Sequence, residues 1–101
     1  MKIVQVVPKS GIDTKLKTLL RNKAAELRGG RTSFHRDRRG RWKHVKYPGW
    51  INLVEISGGM LIAEIQTKVE GTEWQMLRAF IGYLDRHLGE YIESITIYYK
   101  E

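Results

Sequence analysis

Residues 50–69, WINLVEISGGMLIAEIQTKV, decide the fold of this chain. Both ends of the stretch are rich in β-branched and aliphatic residues, which favour an extended backbone. Between them lies Ser57-Gly58-Gly59-Met60, whose two glycines tolerate the positive φ that a two-residue hairpin loop requires. The sequence therefore predicts an antiparallel hairpin with strands over residues 50–57 and 60–69.

The length of this loop also predicts the two faces of the hairpin. Side chains alternate between faces along a strand, so a two-residue loop directs Glu55 and Glu64 to one face. The predicted inner residues on the other face are Val54, Ile56, Leu61, Ala63 and Ile65. Paired carboxylates act as acid and base when one is desolvated enough to raise its pKa, which makes this pair a catalytic alternative. Solvated glutamates on an open sheet face are the simpler interpretation.

A strand and a helix are predicted before the hairpin. The run at residues 2–7 is rich in Val and Ile and stops at Pro8, which is typical of a strand. A capping box follows at residues 10–13, and apolar residues then recur every three or four positions as in an amphipathic helix. Gly29-Gly30 ends this helix. Its exposed side is basic and would extend any basic surface, through Lys15, Lys17, Arg21, Lys23 and Arg28.

A second helix and a last strand are predicted after the hairpin. Thr72 and Gln75 have the spacing of a capping box, and Gly89 ends the helix. Its apolar stripe consists of Trp74, Leu77, Ile81, Leu84 and Leu88, widened by Phe80. Residues 91–99 alternate between apolar and polar side chains, which predicts a half-buried strand.

Two more strands are predicted between the first helix and residue 50. Asp37-Arg38-Arg39-Gly40 suits a type I turn that ends in a left-handed glycine. Tyr47-Pro48-Gly49-Trp50 has the Pro-Gly centre of a type II turn. These turns bracket strands over residues 31–38 and 41–47. We refer to residues 31–47 as the basic hairpin.

The resulting order, β-α-β-β-β-β-α-β, predicts one α+β domain over residues 1–101. Without the basic hairpin the order is β-α-β-β-α-β, the ferredoxin-like arrangement of one antiparallel sheet with two helices on one face. Strands 2–7 and 60–69 would then be central, and the basic hairpin would be an insertion or an extension of the sheet. A six-stranded sheet in another order is the alternative. Such a fold carries no function by itself.

The formal net charge of +7 is concentrated in one segment. Residues 28–46 hold eight Lys or Arg against one acidic residue, Asp37, whereas the rest of the chain holds ten basic and ten acidic residues. A localised positive field attracts polyanions, while the same charge spread evenly would mainly aid solubility. Because Lys and Arg bind phosphates by releasing counterions, the segment predicts nucleic-acid binding.

The predicted nucleic-acid contacts lie on the basic hairpin. They are Arg31, Arg36, Arg38, Arg39, Arg41, Trp42, Lys43, His44 and Lys46. If Gly40 closes a three-residue loop, Arg36 lies opposite Trp42 and Phe34 opposite His44. The rings of Phe34 and Trp42 would then stack on bases or brace the hairpin.

One mode of nucleic-acid binding is disfavoured by the sequence, and the hairpin also has an interpretation that involves no binding. The predicted central strands contain no aromatic residue, which argues against the base-stacking mode of RNA-binding ferredoxin-like domains. The competing interpretation of the hairpin is purely structural. Its aromatic residues would pack on the body of the protein, and its cations would keep it in solution and discourage edge-to-edge strand pairing.

Surplus apolar residues predict an interface. The candidates are Met76 and Tyr83 on the second helix, with Leu53, Ile62 and Tyr98 on the outer sheet face. They support the alternative function of a protein-interaction or homo-oligomeric adaptor. A homodimer would also present two basic hairpins to one polyanion. An acidic protein is the remaining class of partner.

The composition and motifs exclude several chemistries. The chain has no Cys, which excludes disulfides, a thiolate zinc site and a Cys nucleophile. His35, Asp37 and His44 are close in sequence, but a three-residue loop directs the two histidines to opposite faces, and the adjacent cations oppose a divalent metal. No Walker A loop, His-Glu-x-x-His helix or nucleophile elbow occurs. We expect no metal and no cofactor, and an enzyme is the third alternative.

The sequence predicts a cytoplasmic protein without membrane contact. The first apolar run is too short for the core of a signal peptide, and no segment reaches the roughly 20 apolar residues of a membrane span. The expected function is that of a small non-enzymatic nucleic-acid-binding module, with RNA slightly favoured over DNA.

Overall fold

An antiparallel sheet and two helices make up the described part of the chain. The computed structural model describes residues 1–27 and 33–100. The elements are β1 (Lys2–Pro8), α1 (Leu16–Glu26), β2 (Phe34–Arg36), β3 (Trp42–His44), β4 (Trp50–Ile56), β5 (Met60–Gln66), α2 (Glu73–Leu88) and β6 (Ile92–Tyr99). This confirms the predicted α+β class and the predicted order of elements.

The six strands of the described residues form one sheet in the order β2-β3-β4-β5-β1-β6. Every neighbouring pair is antiparallel, and β1 lies between β5 and β6. The β2–β3 hairpin extends the sheet beyond β4. Its ladder to β4 consists, among the described residues, of the one pair Trp42–Ile51. Side-chain burial rather than backbone pairing must therefore hold this hairpin in place.

The hydrophobic core lies between the two helices and one face of the sheet, which we call the helix-side face. At its centre Val4 pairs with Ala63 and Val6 with Leu61, and all four side chains are fully buried. The helices contribute Leu16, Leu20, Met76, Leu77, Phe80, Tyr83, Leu84 and Leu88. Burial of one such Leu or Phe side chain contributes about 1.5–3 kcal/mol. The opposite, outer face carries no helix of the described residues.

The β4–β5 loop differs from the prediction by one residue. Ile56 pairs with Met60, so the loop contains the three residues Ser57–Gly59 rather than two. Because a one-residue change in register turns a whole strand over, the predicted faces of β4 are wrong. Val54 and Ile56 lie on the outer face and are 46% and 42% exposed, instead of lining the core.

The same register separates the two glutamates that were predicted to form a pair. Glu55 lies opposite Leu61 on the helix-side face, whereas Glu64 lies opposite Asn52 on the outer face. The predicted carboxylate pair therefore does not exist. Leu53 was predicted on the outer face, but it lies opposite Ala63 and packs against the core.

The buried face of α2 is rotated from the predicted one. Met76 and Tyr83, predicted as exposed interface residues, are 0% and 4% exposed, whereas Trp74 is 51% exposed. The reason is that β2 adds a strand beneath the helix. The Phe34 ring meets Phe80 and Tyr83 edge-on at centroid distances of 5.9 and 5.2 Å. This contact covers the side of α2 that a four-stranded sheet would have left open.

The helix starts also differ from the predicted capping boxes. α1 begins only at Leu16, with Lys15 as its N-cap and no side-chain capping bond. At α2 the Thr72 hydroxyl donates to the Val69 carbonyl at 2.6 Å instead of capping the helix. The predicted stop of α1 at Gly29-Gly30 lies outside the described residues. Neither helix of the described ranges is long and apolar enough to cross a membrane.

Candidate functional site

The turn of the basic hairpin is organised by Asp37. Its carboxylate accepts hydrogen bonds from the backbone N–H groups of Arg39 and Arg41, both at 2.9 Å, and from Arg41 Nε at 2.8 Å. Gly40 donates its N–H to the Asp37 carbonyl at 3.1 Å and has φ 78°, as the predicted turn requires. One acidic side chain thus fixes the turn that presents the arginines.

These contacts also determine which cations remain unpaired. Burial alone would raise the pKa of Asp37, but hydrogen bonds from Arg41 and Arg39 and the charge of Arg41 outweigh it and hold that pKa below its usual value of 3.8. Lys43 Nζ lies 3.8 Å from the same carboxylate. Within the described residues, no ion pair involves Arg36, Arg38 or Arg39.

The two strands of the hairpin present different residues on their two faces. Phe34 pairs with His44 and Arg36 with Trp42, the register that a three-residue loop gives. Phe34 and Trp42 are each 2% exposed and belong to the core. Trp42 was predicted as a nucleic-acid contact, but its burial leaves no ring face for a base. It braces the hairpin instead.

Cations from α1 and from the hairpin turn surround a cavity, which we call the α1 cleft. Lys17 and Arg21 of α1 line it together with Arg36 and Arg39 of the hairpin. Its volume is about 290 Å³, and the remaining lining residues are Gly40, Trp42, Asn52 and Leu53. No carboxylate is among the described residues that line it. Four cations that converge without a counter-charge attract an anion strongly.

A second basic cavity, the α2 cleft, lies between the other end of the hairpin and α2. Lys46 of the hairpin and Arg78 and Arg86 of α2 line it. Its volume is about 250 Å³. The ring of His44 stacks on that of Tyr47 in its wall, with centroids 4.5 Å apart and planes 23° from parallel. This cleft therefore combines cations with a stacked pair of rings.

His44 takes part in this wall as a neutral ring. Its Nδ1 accepts a hydrogen bond from the Lys46 backbone N–H at 2.9 Å, so the neutral ring carries its proton on Nε2. Burial lowers the pKa of His44 below its usual value of 6.5, and the charges of Lys46 and His35 lower it further. His44 was predicted as a nucleic-acid contact, and at neutral pH it offers an N–H donor and a ring rather than a positive charge.

A third group of cations lies around Trp50. The Arg41 guanidinium carbon lies 5.0 Å from the centroid of the Trp50 ring. With Lys43 and Lys68, both residues line a cavity of about 320 Å³. Because Asp37 already binds Arg41 and Lys43, this group has less free positive charge than the two clefts.

The structure places most of the predicted contacts around the clefts. Arg36 and Arg39 line the α1 cleft, and His44 and Lys46 line the α2 cleft. Arg38 is exposed at the turn, and Arg31 lies outside the described residues. The α2 cleft is also lined by Tyr47, Arg78 and Arg86, which the sequence prediction did not include. A usable signal for the last two was their spacing of two helical turns on α2, which places them on one side of the helix.

Of the predicted interface residues, Ile62 and Tyr98 lie on the outer sheet face, and the other three are packed inside. Met76, Tyr83 and Leu53 pack inside, as described above. Ile62 lies on the outer face, and Tyr98 there is 48% exposed, with its hydroxyl donating to Gln5 Oε1 at 3.3 Å. With Val54 and Ile56 they give this face a partly exposed apolar surface.

The carboxylate of Glu55 lies in a separate groove. Glu55 lines a groove between residues 8–15 and 55–59, with Lys15 Nζ 3.9 Å from its Oε1. Among the described residues, no group of three or more His, Asp or Glu is placed to hold a metal ion. Comparison of the chain with protein-family models, with curated proteins and with solved structures finds no match.

Proposed function

We propose that this chain is a small non-enzymatic module that binds nucleic acid, with RNA slightly favoured over DNA. The observation that carries the proposal is the α1 cleft, where four cations from α1 and the hairpin converge and no carboxylate lines the cavity among the residues that the structure describes. Arg is suited to this role because its planar guanidinium binds phosphate through two hydrogen bonds. The module would act in the cytoplasm.

The proposal extends to the fold. We propose a ferredoxin-like β-α-β-β-α-β unit, formed by β1, α1, β4, β5, α2 and β6, to which the basic hairpin is added at one edge. The strand order β4-β5-β1-β6 supports it. In this arrangement the hairpin is an extension of the sheet rather than a finger in solvent, so its cations act together with those of the helices.

The test is the salt dependence of binding to labelled RNA and DNA, followed by fluorescence anisotropy. Each cation that neutralises a phosphate contributes a slope of about 0.7 for single strands or 0.9 for duplexes to the logarithmic salt plot. The variant Arg36→Ala with Arg39→Ala should therefore flatten the slope by roughly 1.4–1.8. A control with the same loss of charge is Lys9→Ala with Lys100→Ala, whose exposed side chains lie outside the clefts.

Two results would contradict the proposal. One is an absence of binding to either polymer at low salt. The other is an equal loss of slope in the Arg36 and Arg39 variant and in the control variant, because binding would then depend on net charge and not on the cleft. Unchanged thermal unfolding of both variants is expected, since surface substitutions change the free energy of unfolding by about 0.5 kcal/mol or less.

A protein-interaction or homo-oligomeric adaptor is the second candidate function. The observation that favours it is the outer sheet face, where Val54, Ile56 and Tyr98 are 42–48% exposed. Sedimentation analysis of the protein and of a Val54→Asp variant tests it. A dimer that the variant dissociates supports the adaptor, and a monomer at all concentrations contradicts the homo-oligomeric form. An acidic protein partner would compete with polynucleotide for the clefts.

A further inference from the structure

The two clefts lie at opposite ends of the β2–β3 hairpin and on the same side of it. The α1 cleft includes Arg36 near the turn, and the α2 cleft includes Ser33 at the open end. The hairpin continues to that end, because the Val45 N–H donates to the Ser33 carbonyl at 3.0 Å. Arg36 and Ser33 are three positions apart along the strand, which corresponds to about 10 Å at about 3.3 Å per residue.

The edge of the sheet connects the clefts. In the described ranges β2 pairs with β3 alone and forms the end of the sheet. Cations therefore stand at both ends of an edge strand, four at the α1 cleft and three at the α2 cleft. A linear polyanion that follows this edge meets positive charge at both ends of its path.

The α2 cleft differs from the α1 cleft in its stacked pair of aromatic rings. The stacked rings of His44 and Tyr47 lie in its wall beside Lys46, Arg78 and Arg86. Aromatic rings next to cations form the platforms on which proteins stack the bases of single-stranded nucleic acids. The α1 cleft has no such platform, because its aromatic residue, Trp42, is buried. The first cleft thus suits a phosphate, and the second suits a phosphate with its base.

The hairpin is poorly suited to a duplex. A two-stranded ribbon reads a duplex by entering the major groove. Here the helix-side face of the ribbon is occupied, since Phe34 and Trp42 are buried in the core and Phe34 packs against α2. The free cations line concave clefts of about 290 and 250 Å³. Bases paired in a duplex also present no free face to a ring such as that of Tyr47.

We propose that the clefts bind one single-stranded polynucleotide segment that runs along β2. Its phosphate lies between Arg36 and Arg39 in the α1 cleft, and a base stacks on Tyr47 in the α2 cleft. A spacing of about 10 Å suits a short site of about four nucleotides, at the lower end of the about 4–16 nucleotides that single-strand binding grooves cover. This inference rests on the proposed function, and RNA and DNA share the chemistry that it requires.

The first experiment measures affinity against length and strandedness. Labelled single-stranded RNA and DNA are titrated with the protein at low salt. Their lengths are about 2, 4, 6 and 8 nucleotides, which bracket the proposed site of about four nucleotides. A hairpin duplex of the same sequence serves as the comparison. We expect affinity to rise steeply up to about four nucleotides and then only gradually. The duplex should bind at least about tenfold more weakly than the single strand.

The second experiment uses variants of the two clefts. Tyr47→Ala should lower single-strand affinity by about 5- to 150-fold, the equivalent of the roughly 1–3 kcal/mol of one stacked base. Tyr47→Phe keeps the ring and should restore affinity to within about twofold of the original, a change below about 0.5 kcal/mol. Arg78→Ala with Arg86→Ala should flatten the single-strand salt slope by about 1.4. Thermal unfolding of each variant shows whether it remains folded, and Tyr47→Leu replaces Tyr47→Ala if that variant does not.

The outcomes separate this inference from the proposed function. If no polynucleotide binds at low salt, the proposed function fails. If polynucleotides bind but the duplex binds as well as the single strand, the single-strand path is overturned while the proposed function remains. The path is also overturned if the Arg78 and Arg86 variant behaves like the Lys9 and Lys100 control, or if Tyr47→Ala binds as the original does. The single-strand path is supported if the variants of both clefts bind polynucleotide more weakly and if single strands bind more tightly than the duplex.

Discussion

Replacing Phe34 with Ala tests whether the basic hairpin belongs to the core. Phe34 is 2% exposed, and its ring meets His44, Phe80 and Tyr83 at centroid distances of 4.9–5.9 Å. Truncation of a buried Phe to Ala costs about 3–5 kcal/mol. This is a large part of the roughly 5–15 kcal/mol by which domains are stable, so Phe34→Ala should be marginally folded.

Urea unfolding followed by circular dichroism measures this loss. With a slope of about 1.5 kcal/mol per molar urea, a loss of 3–5 kcal/mol lowers the midpoint by about 2–3 M. Phe34→Leu keeps most of the buried volume and should lose less than about half as much. His35→Ala, next along the strand and exposed, is the matched control and should change the free energy of unfolding by about 0.5 kcal/mol or less.

The result that refutes the reasoning is a Phe34→Ala variant within about 1 kcal/mol of the original protein, below the range for a buried Phe. The hairpin would then be a loosely attached finger, and the clefts between it and the helices would not be preformed. Loss of polynucleotide binding by a Phe34→Ala variant that remains folded would show, conversely, that docking of the hairpin builds the site.

Three further predictions follow from the same structure. Gly49→Ala should lose at least about 2 kcal/mol in urea unfolding, because Gly49 has φ 105° and a Cβ there would lie 2.3 Å from the Gln66 carbonyl oxygen. Gly58→Ala, with φ 84° and open space around it, should lose only about 1 kcal/mol, and equal losses would contradict the clash. The pKa of His44, measured by NMR titration, should lie below 6.5, and a higher pKa would contradict its burial. Because protonation of His44 favours the unfolded chain, its contribution to stability is present above pH 6.5 and declines as the pH falls below that value. The lowered pKa of Asp37 acts in the same sense at lower pH: its contribution is present above about pH 3.8 and is lost as the pH falls through the folded-state pKa, whereas an Asp37→Asn variant should lack this acid transition.

The order of elements was predictable because it depends on local signals. Hydrophobic periodicity, the Pro-Gly turn and the Asp37–Gly40 turn each act over a few residues. Loop length was not predictable from composition. Two glycines satisfy a two-residue loop and a three-residue loop equally well, and that difference of one residue turned β4 over and separated Glu55 from Glu64.

The site was predictable only in part for a related reason. The concentration of charge at residues 28–46 is visible in the sequence, but a cavity depends on which elements are neighbours in space. Arg78 and Arg86 are distant in sequence from the hairpin, and only the position of β2 beneath α2 brings them to Lys46. The same contact covered Tyr83, which in isolation reads as a surplus aromatic residue on an amphipathic helix.

The one-pair connection between β3 and β4 has a consequence for local unfolding. Because the hairpin is held by two buried rings and little backbone ladder, we expect it to open as a small cooperative unit of its own before β1, β4 and β5. Its amides should exchange with deuterium well before those of the central strands. A ligand that touches the hairpin and both helices together would slow that exchange, so protection of residues 33–46 reports occupancy of the clefts independently of any label on the nucleic acid.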